Sequence, residues 1–310
     1  NPLGIKITQD QYTTEISAFF RYKAIVGKFL IEPSVRTQYY ASLPAFTFEP
    51  RIGLKYNVTD FMRLKAAAGV YTQNFISTKS DQDVVNLFTG FLSAPEGALK
   101  DLNGQPAANN LQRAIHSVVG AEFNLGKYAE FNIEGYYKDF NQLININRNK
   151  LFNSDPDFII ETGASYGMDL LFKYEYKRFY LWTVYSLAYV TRNDGIQVYP
   201  PHFDRRHNTN FLASYKLGKN ESWEISARWN LGSGFPFTQT QGFYESVNFT
   251  GGIDADYLQQ NGTLGIIYAN ELNGGRLPAY HRLDLSVRKN WKLGKYTEME
   301  LNGSLTNVYN

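Results

Sequence analysis

The feature that most limits how this chain can fold is an alternation of apolar and polar residues at every second position, repeated about a dozen times over 310 residues. Residues two apart share one face of a strand. Along 161–176 one face reads Thr162, Ala164, Tyr166, Met168, Leu170, Phe172, Tyr174 and Tyr176. The other reads Glu161, Gly163, Ser165, Gly167, Asp169, Leu171, Lys173 and Glu175. The same two-sided pattern starts at Thr14, Arg51 and Met62, and returns over 179–191, 207–217, 222–231, 280–291 and 296–308. Several runs reach 12–16 residues. Strands of soluble proteins average about 5–6 residues, whereas a strand that crosses a bilayer needs about 9–11. Length and alternation together predict membrane-crossing strands, apolar toward lipid and polar toward a wet lumen.

The connections alternate too. Tight turns are expected near 25–28, 59–60, 126–127, 177–178, 218–221 and 292–295, and longer segments over 41–47, 74–112, 147–160, 192–206 and 232–279. Short turns on one side and long loops on the other is the asymmetry of outer-membrane barrels, periplasmic and extracellular respectively. Only 80–102 reads as able to hold a short helix, inside a loop. The count is twelve strands, the first descending to the periplasm and the twelfth rising from it. The fold class expected is therefore all-β, a transmembrane antiparallel β-barrel present in part, with 1–310 as a single partial domain. At least one further strand is expected after Asn310, and Asn1-Pro2 does not begin a signal peptide.

Composition closes other routes. No run approaches the ~18 apolar residues of a helical span. Charges nearly balance, at +2, without the basic stripe of a nucleic-acid binder. Cysteine is absent, which removes disulfides, thiolate metal sites and a cysteine nucleophile. His116, His202, His207 and His281 include no pair at metal-binding spacing, and no acid/base dyad is visible, so neither enzyme nor cofactor is expected. Asp254 and Asp256 beside Gly251-Gly252 offer oxygens of the kind calcium takes, but too few ordered ligands; a plain polar loop is the reading.

Two groups of residues are the functional candidates. Tyr199, Phe203, Phe235, Phe237, Phe243 and Tyr244 fall in long loops, where aromatic faces could stack on a ligand. Arg228, Arg282, Asp284 and Arg288 fall on polar strand faces and are expected to line the lumen or face a plug. Tyr39, Tyr40, Tyr136, Tyr137, Tyr180, Trp182, Trp223, Trp229 and Trp291 lie near strand ends and read as aromatic girdles at the membrane interfaces.

Five stretches, in order along 160–310, resemble the TonB-dependent outer-membrane receptors in the form common among Bacteroidota. They are Tyr166-Gly167-Met168-Asp169-Leu170, with Asp where Glu is usual; Asp204-Arg205-Arg206-His207; Gly232 through Thr238 after Trp229; Arg276 through Asp284; and Asn307-Val308-Tyr309-Asn310. The resemblance implies the tenth to twenty-first strands of a barrel of about 22 strands, a size that is plugged. It places the plug, the TonB-contacting box and the last strand outside these residues. It implies capture of a scarce nutrient (iron–siderophore, haem, cobalamin, glycan or peptide) and import with TonB-supplied energy. The partners it implies are the TonB complex through the plug, the nutrient, outer-membrane lipid and a surface lipoprotein. Two other readings stay open from the residues themselves: a passive porin or structural barrel component, and a soluble β-rich enzyme or binding protein, which predicts shorter strands and even loops.

Overall fold

The computed structural model describes residues 13–41, 43–77, 90–95, 97–148, 150, 154–246 and 263–309. Asp254 and Asp256 lie outside the described residues, as does part of 80–102. In the part of 80–102 that is described, Phe91–Ser93 is a short strand and nothing is helical. Twelve long strands form the wall: β1 (Glu15–Arg21), β2 (Phe29–Tyr40), β3 (Ala45–Asn57), β4 (Met62–Gln73), β5 (Gln112–Leu125), β6 (Ala129–Ile146), β7 (Phe158–Tyr176), β8 (Phe179–Asn193), β9 (His207–Leu217), β10 (Trp223–Gly232), β11 (Tyr280–Lys292) and β12 (Glu298–Leu305). Each pairs antiparallel with its sequence neighbour in one curved meander, and β1 and β12 stand at its two edges without pairing to each other.

The turns on one side are as short as anticipated. Gly126 takes φ 74° at the β5–β6 turn, and Lys177 takes φ 51° at the β7–β8 turn. Five of the turns also extend the ladder beyond their own hairpin: the N–H of Asn57 reaches Lys28 O, that of Asn124 reaches Phe61 O, that of Glu175 reaches Tyr128 O, that of Lys216 reaches Arg178 O, and that of Asn290 reaches Ser222 O, all at 2.7–2.9 Å. These bonds leave fewer open backbone groups at the rim, where hydrocarbon begins.

The register sorts side chains by parity. On one face the cross-strand row contains Arg63 opposite Glu122, Gly120 opposite Glu134, Glu134 opposite Asp169, Glu224 opposite Arg288 and Arg228 opposite Asp284. Arg63 meets Glu122 at 2.5 Å, Lys65 meets Glu134 at 2.9 Å, and Lys55 lies 3.7 Å from Glu122. The opposite face carries Ile52, Leu54, Leu285 and Leu301, exposed by 43%, 42%, 38% and 63%, with Phe172 half-buried between neighbours on the same face. A row of exposed aliphatic and aromatic side chains is stable only against lipid, so the charged face is the lumen.

Parity also corrects the girdle assignment. Tyr39, Tyr137, Trp223, Trp229 and Trp291 point outward, but Tyr40, Tyr136, Tyr180 and Trp182 share the lumenal face with the charged rows. Nearness to a strand end predicts interface height; the side is decided by odd or even position. Tyr136 lies across Gly167, whose absent Cβ would stand 2.6 Å from the Tyr136 hydroxyl oxygen and 2.2 Å from Leu187 O. The small residue of the Tyr166-Gly167 stretch thus makes room for a lumenal tyrosine.

β6 and β7, at 18 and 19 residues, are far longer than the ~9–11 a crossing needs. β7 begins at Phe158 and β3 at Ala45, so the loops anticipated over 147–160 and 41–47 give part of their length to strands. The surplus rises above the membrane. There Ile144, Phe158 and Ile160 are buried against Ile76, Ala94 and Leu99 from the long β4–β5 connection, a small core in water rather than in lipid.

If parity sets the faces, Leu285→Lys in the intact protein is expected to destabilise the barrel by about 2–4 kcal/mol in urea unfolding from lipid vesicles. Ser286→Lys, one residue along and facing the lumen, should leave the midpoint nearly unchanged. Equal losses at the two positions would overturn the assignment.

Candidate functional site: the extracellular mouth

Above the lipid level, the loops are held by buried charges. Glu161 near the start of β7 is fully buried, at 0% exposure. Four groups converge on it, the first being the Asn145 amide, which donates at 3.4 Å. Tyr199 donates its hydroxyl at 2.9 Å, the Arg148 guanidinium at 2.9 Å, and Arg192 lies 3.7 Å away. Arg148 also pairs with Asp194 and lies over the Tyr199 ring at 4.7 Å. Burial works against the Arg148 charge, but the Tyr199 hydroxyl, Glu161 and Asp194 outweigh it and keep the guanidinium well above its ordinary range. Burial likewise pushes the Asp194 carboxyl up, and the backbone N–H groups of Gln197 and Ile196 together with Arg148 more than offset this, leaving it below its ordinary value. A buried charge with several partners is tolerable; one stripped of them is not.

A second clamp joins two loops distant in sequence. Asp204 is fully buried. It accepts from the Val190 N–H at 3.0 Å, pairs with Arg206 at 3.0 Å, and pairs with Arg276. Arg276 also donates to Asp204 O and Gly234 O at 3.1 and 3.2 Å. Asn273 donates to Pro200 O at 2.9 Å, and its N–H reaches Thr238 at 3.0 Å. The connections after β8 and after β10 therefore form one folded unit. Three of the stretches that carried the family resemblance meet here: 204–207, 232–238 and 276–284. Their glycines are spacers. A Cβ on Gly234 would stand 1.5 Å from Leu277 O, and one on Gly232 would stand 2.4 Å from the Arg205 guanidinium carbon.

The six loop aromatics occupy different settings. Tyr199 is only 1% exposed and works as a strut under Glu161. Phe203 is partly exposed, packs edge-on to His202 and carries Arg192 over its ring at 5.5 Å. With Phe75, Phe91, Gln112 and Asn145 it lines a cavity of about 290 Å³ beneath the β4–β5 connection. Phe235 holds Arg205 at 4.2 Å, and Phe237 pairs with Gly275 in a two-residue ladder. Phe243 and Tyr244 stand exposed on the hairpin formed by Thr240–Ser246 and Thr263–Tyr268. Phe203, Phe235, Phe243 and Tyr244 are thus exposed, with Phe243 and Tyr244 on opposite faces of their two-stranded ladder, and Tyr199 and Phe237 are built into the loop frame.

Arg228, Arg282, Asp284 and Arg288 share one face of the wall, the face that carries the charged rows. Arg282 meets Asp284 at 2.6 Å, and Asp284 opposes Arg228 across the ladder and accepts the Asn307 N–H at 2.9 Å. Arg288 pairs with Glu224 at 2.6 Å and lies 3.8 Å from Glu300. Sequence reasoning passed over Arg148, Glu161, Asp194 and Asp204 as site residues. The one available signal was an acidic residue flanked by apolar ones at the start of a long strand, as in Ile159-Ile160-Glu161. Among the described residues no group of His, Asp or Glu is arranged to hold a metal.

Arg148→Met is expected to cost the loop unit about 3–5 kcal/mol, because buried Asp194 loses its cation and buried Glu161 the nearer of its two. Amide hydrogen exchange over 194–199 reads this as faster opening. Arg21→Ala, which breaks an exposed pair with Glu32 at 3.7 Å, should change stability by no more than about 0–1 kcal/mol. The pH dependence follows from the lowered Asp194 value. Its contribution is fully present above the ordinary carboxylate value of 3.8 and is lost as pH falls through the lower folded value. Exchange over 194–199 should therefore stay flat from neutral pH to the ordinary carboxylate range and accelerate only below it, after correction for intrinsic chemistry. An opening that sets in near pH 6 would contradict this account.

The comparisons with known proteins agree with this architecture. The family model described as TonB dependent receptor-like, beta-barrel matches residues 2–308. No curated protein matches the chain. Among solved structures, the FrpB iron transporter from Neisseria meningitidis (F5-1 variant) is similar with TM-score 0.60 at 12% identity, covering 96% of this chain and 41% of that one. The ferripyoverdine receptor of the Pseudomonas aeruginosa outer membrane is similar with TM-score 0.59 at 10% identity, covering 96% and 35%. The outer-membrane transporter YddB from Escherichia coli is similar with TM-score 0.57 at 9% identity, covering 96% and 41%. At these identities the likeness is one of fold, and the chain spans about two-fifths of the length of those proteins or less. The chain belongs to the TonB-dependent receptor β-barrel family of the bacterial outer membrane.

Proposed function

We propose that the intact protein is an active-transport receptor that captures a scarce nutrient at its extracellular loops and imports it with energy delivered through TonB. The observation that carries this reading is the mouth. The described parts of loops 194–206 and 233–279 are tied together by Asp204–Arg276 and Asn273–Pro200, and in this reading the exposed Phe203, Phe235, Phe243 and Tyr244 on them offer rings to a ligand. A rigid aromatic rim is suited to selective capture, because little ordering entropy is lost when a ligand arrives. Below it, Arg228, Arg282, Asp284 and Arg288 form a polar wall of the kind that lies against a plug. The TonB complex would act through the plug, and a surface lipoprotein over the loops is the further partner in this reading. Several structural neighbours are described as iron transporters or receptors, so ferric chelates are the first substrates to try, ahead of haem, cobalamin, glycans and peptides.

The test is growth and uptake. A strain lacking the gene is supplied with one nutrient at a time as sole source of iron, cobalamin or carbon, alongside a strain lacking TonB. The expected result is loss of uptake for one nutrient class in both strains. Uptake that persists without TonB but not without the gene would instead identify a passive porin.

A further inference from the structure

The wall strands contain seven lysines. Six (Lys55, Lys65, Lys138, Lys173, Lys216 and Lys292) lie on the lumenal face by register. The seventh, Lys289, lies on the lipid face, opposite Trp223 on β10 and Leu301 on β12. A lysine on a lipid face is unfavourable at mid-membrane and tolerated near the interface. Lys289 is three residues from the periplasmic end of β11, which at ~3.3 Å per residue puts it about 10 Å along the strand from the rim. It is flanked on its own face by two tryptophans, with its ammonium 4.7 Å from the Trp223 ring and 5.7 Å from the Trp291 ring. It donates one hydrogen bond to Ser222 Oγ at 2.7 Å. An ammonium has three N–H donors, so two remain, and the Ser222 hydroxyl, having accepted, still has its own proton to give. The Trp229 indole, by contrast, donates to Tyr309 at 3.0 Å.

We infer that Lys289, Ser222, Trp223 and Trp291 form a binding site for the phosphate of a glycerophospholipid in the periplasmic leaflet. The lysine and serine donors meet the phosphate oxygens, the indoles sit at glycerol depth, and the acyl chains run up over Leu301 and Val287. The surrounding charge favours an anionic headgroup. The periplasmic turns between wall strands carry seven Lys or Arg against two carboxylates, Asp60 and Glu221. Both strands beside Lys289 are present and paired, so every group of the site belongs to the described residues.

The test uses the full-length protein purified in detergent and titrated with phosphatidylglycerol, or with a galactosyl diacylglycerol of the same acyl chains that lacks phosphate. Native mass spectrometry counts retained lipid. Wild type should retain phosphatidylglycerol over the galactolipid. K289M, which keeps the alkyl stem over the tryptophans and removes the charge, should lose about fivefold in phosphatidylglycerol occupancy, the equivalent of the ~1 kcal/mol that one membrane-surface lysine contributes toward anionic lipid. K289R should retain most of the binding. Equal retention by wild type and K289M would overturn the site. So would equal retention of the two lipids by wild type, a comparison that needs no variant and stands even where K289M fails to fold. Nutrient uptake is not the readout, so this result is independent of the transport proposal.

Discussion

In hydrocarbon, a backbone N–H or C=O without a partner costs several kcal/mol, and the rest of this wall follows from how that demand is met. Twelve strands pair only with their sequence neighbours, so each hairpin closes its own ladder as it forms. The turns add bonds to the strand beyond, which carries pairing to the rim. With the backbone satisfied in this way, side chains are free to be sorted by surroundings alone, and a period of two does the sorting. One slip of register would exchange every charge with every aliphatic residue.

That sorting explains the difference between the two kinds of polar network. In the lumen, Glu122 gathers Lys55, Arg63 and Lys65 within 2.5–3.7 Å. These groups stay partly open to water, so the pairs position side chains more than they stabilise the fold. Above the membrane the balance changes. Glu161 and Asp204 are removed from solvent altogether, and their partners arrive from three separate connections. Among the described residues the apolar clusters there are small, one around Ile144, Phe158 and Ile160 and one of Tyr40, Ala45 and Leu111. Saturated polar networks take over the task of choosing one arrangement among many, because any other leaves a charge unpaired in a dry place.

Motifs that look unrelated along the chain acquire a common purpose in this cap. Asp204 binds Arg276, Arg276 binds Gly234 O, and the missing side chains of Gly232 and Gly234 let Arg205 and Leu277 approach. Asn307 and Tyr309 similarly fold back on β11, through the Asp284 carboxylate and the His281 ring, with Tyr309 Oη 2.9 Å from His281 Nδ1. Four of the five stretches that carried the family resemblance are therefore contact surfaces for one another, while 166–170 packs within the wall. This is why order and spacing made them informative when each was weak alone.

The number of wall strands, their approximate limits, the short turns and the sharing of one strand face by Arg228, Arg282, Asp284 and Arg288 were legible in the chain. All of these depend on interactions between residues two apart or across one hairpin, and periodicity records such interactions directly. The side taken by Tyr40, Tyr136, Tyr180 and Trp182 was equally local, and parity rather than closeness to a strand end decides it. The clamps were not legible. Arg148 and Asp194 are 46 residues apart, and Arg276 and Asp204 are 72 apart, with nothing periodic to connect them. Tyr199 reads as a ligand aromatic in the sequence and is a buried strut in the fold, because its neighbours come from distant connections. Local alternation determined the wall; the meeting of distant loops, each supplying part of a charge's shell, was decided only by the tertiary structure.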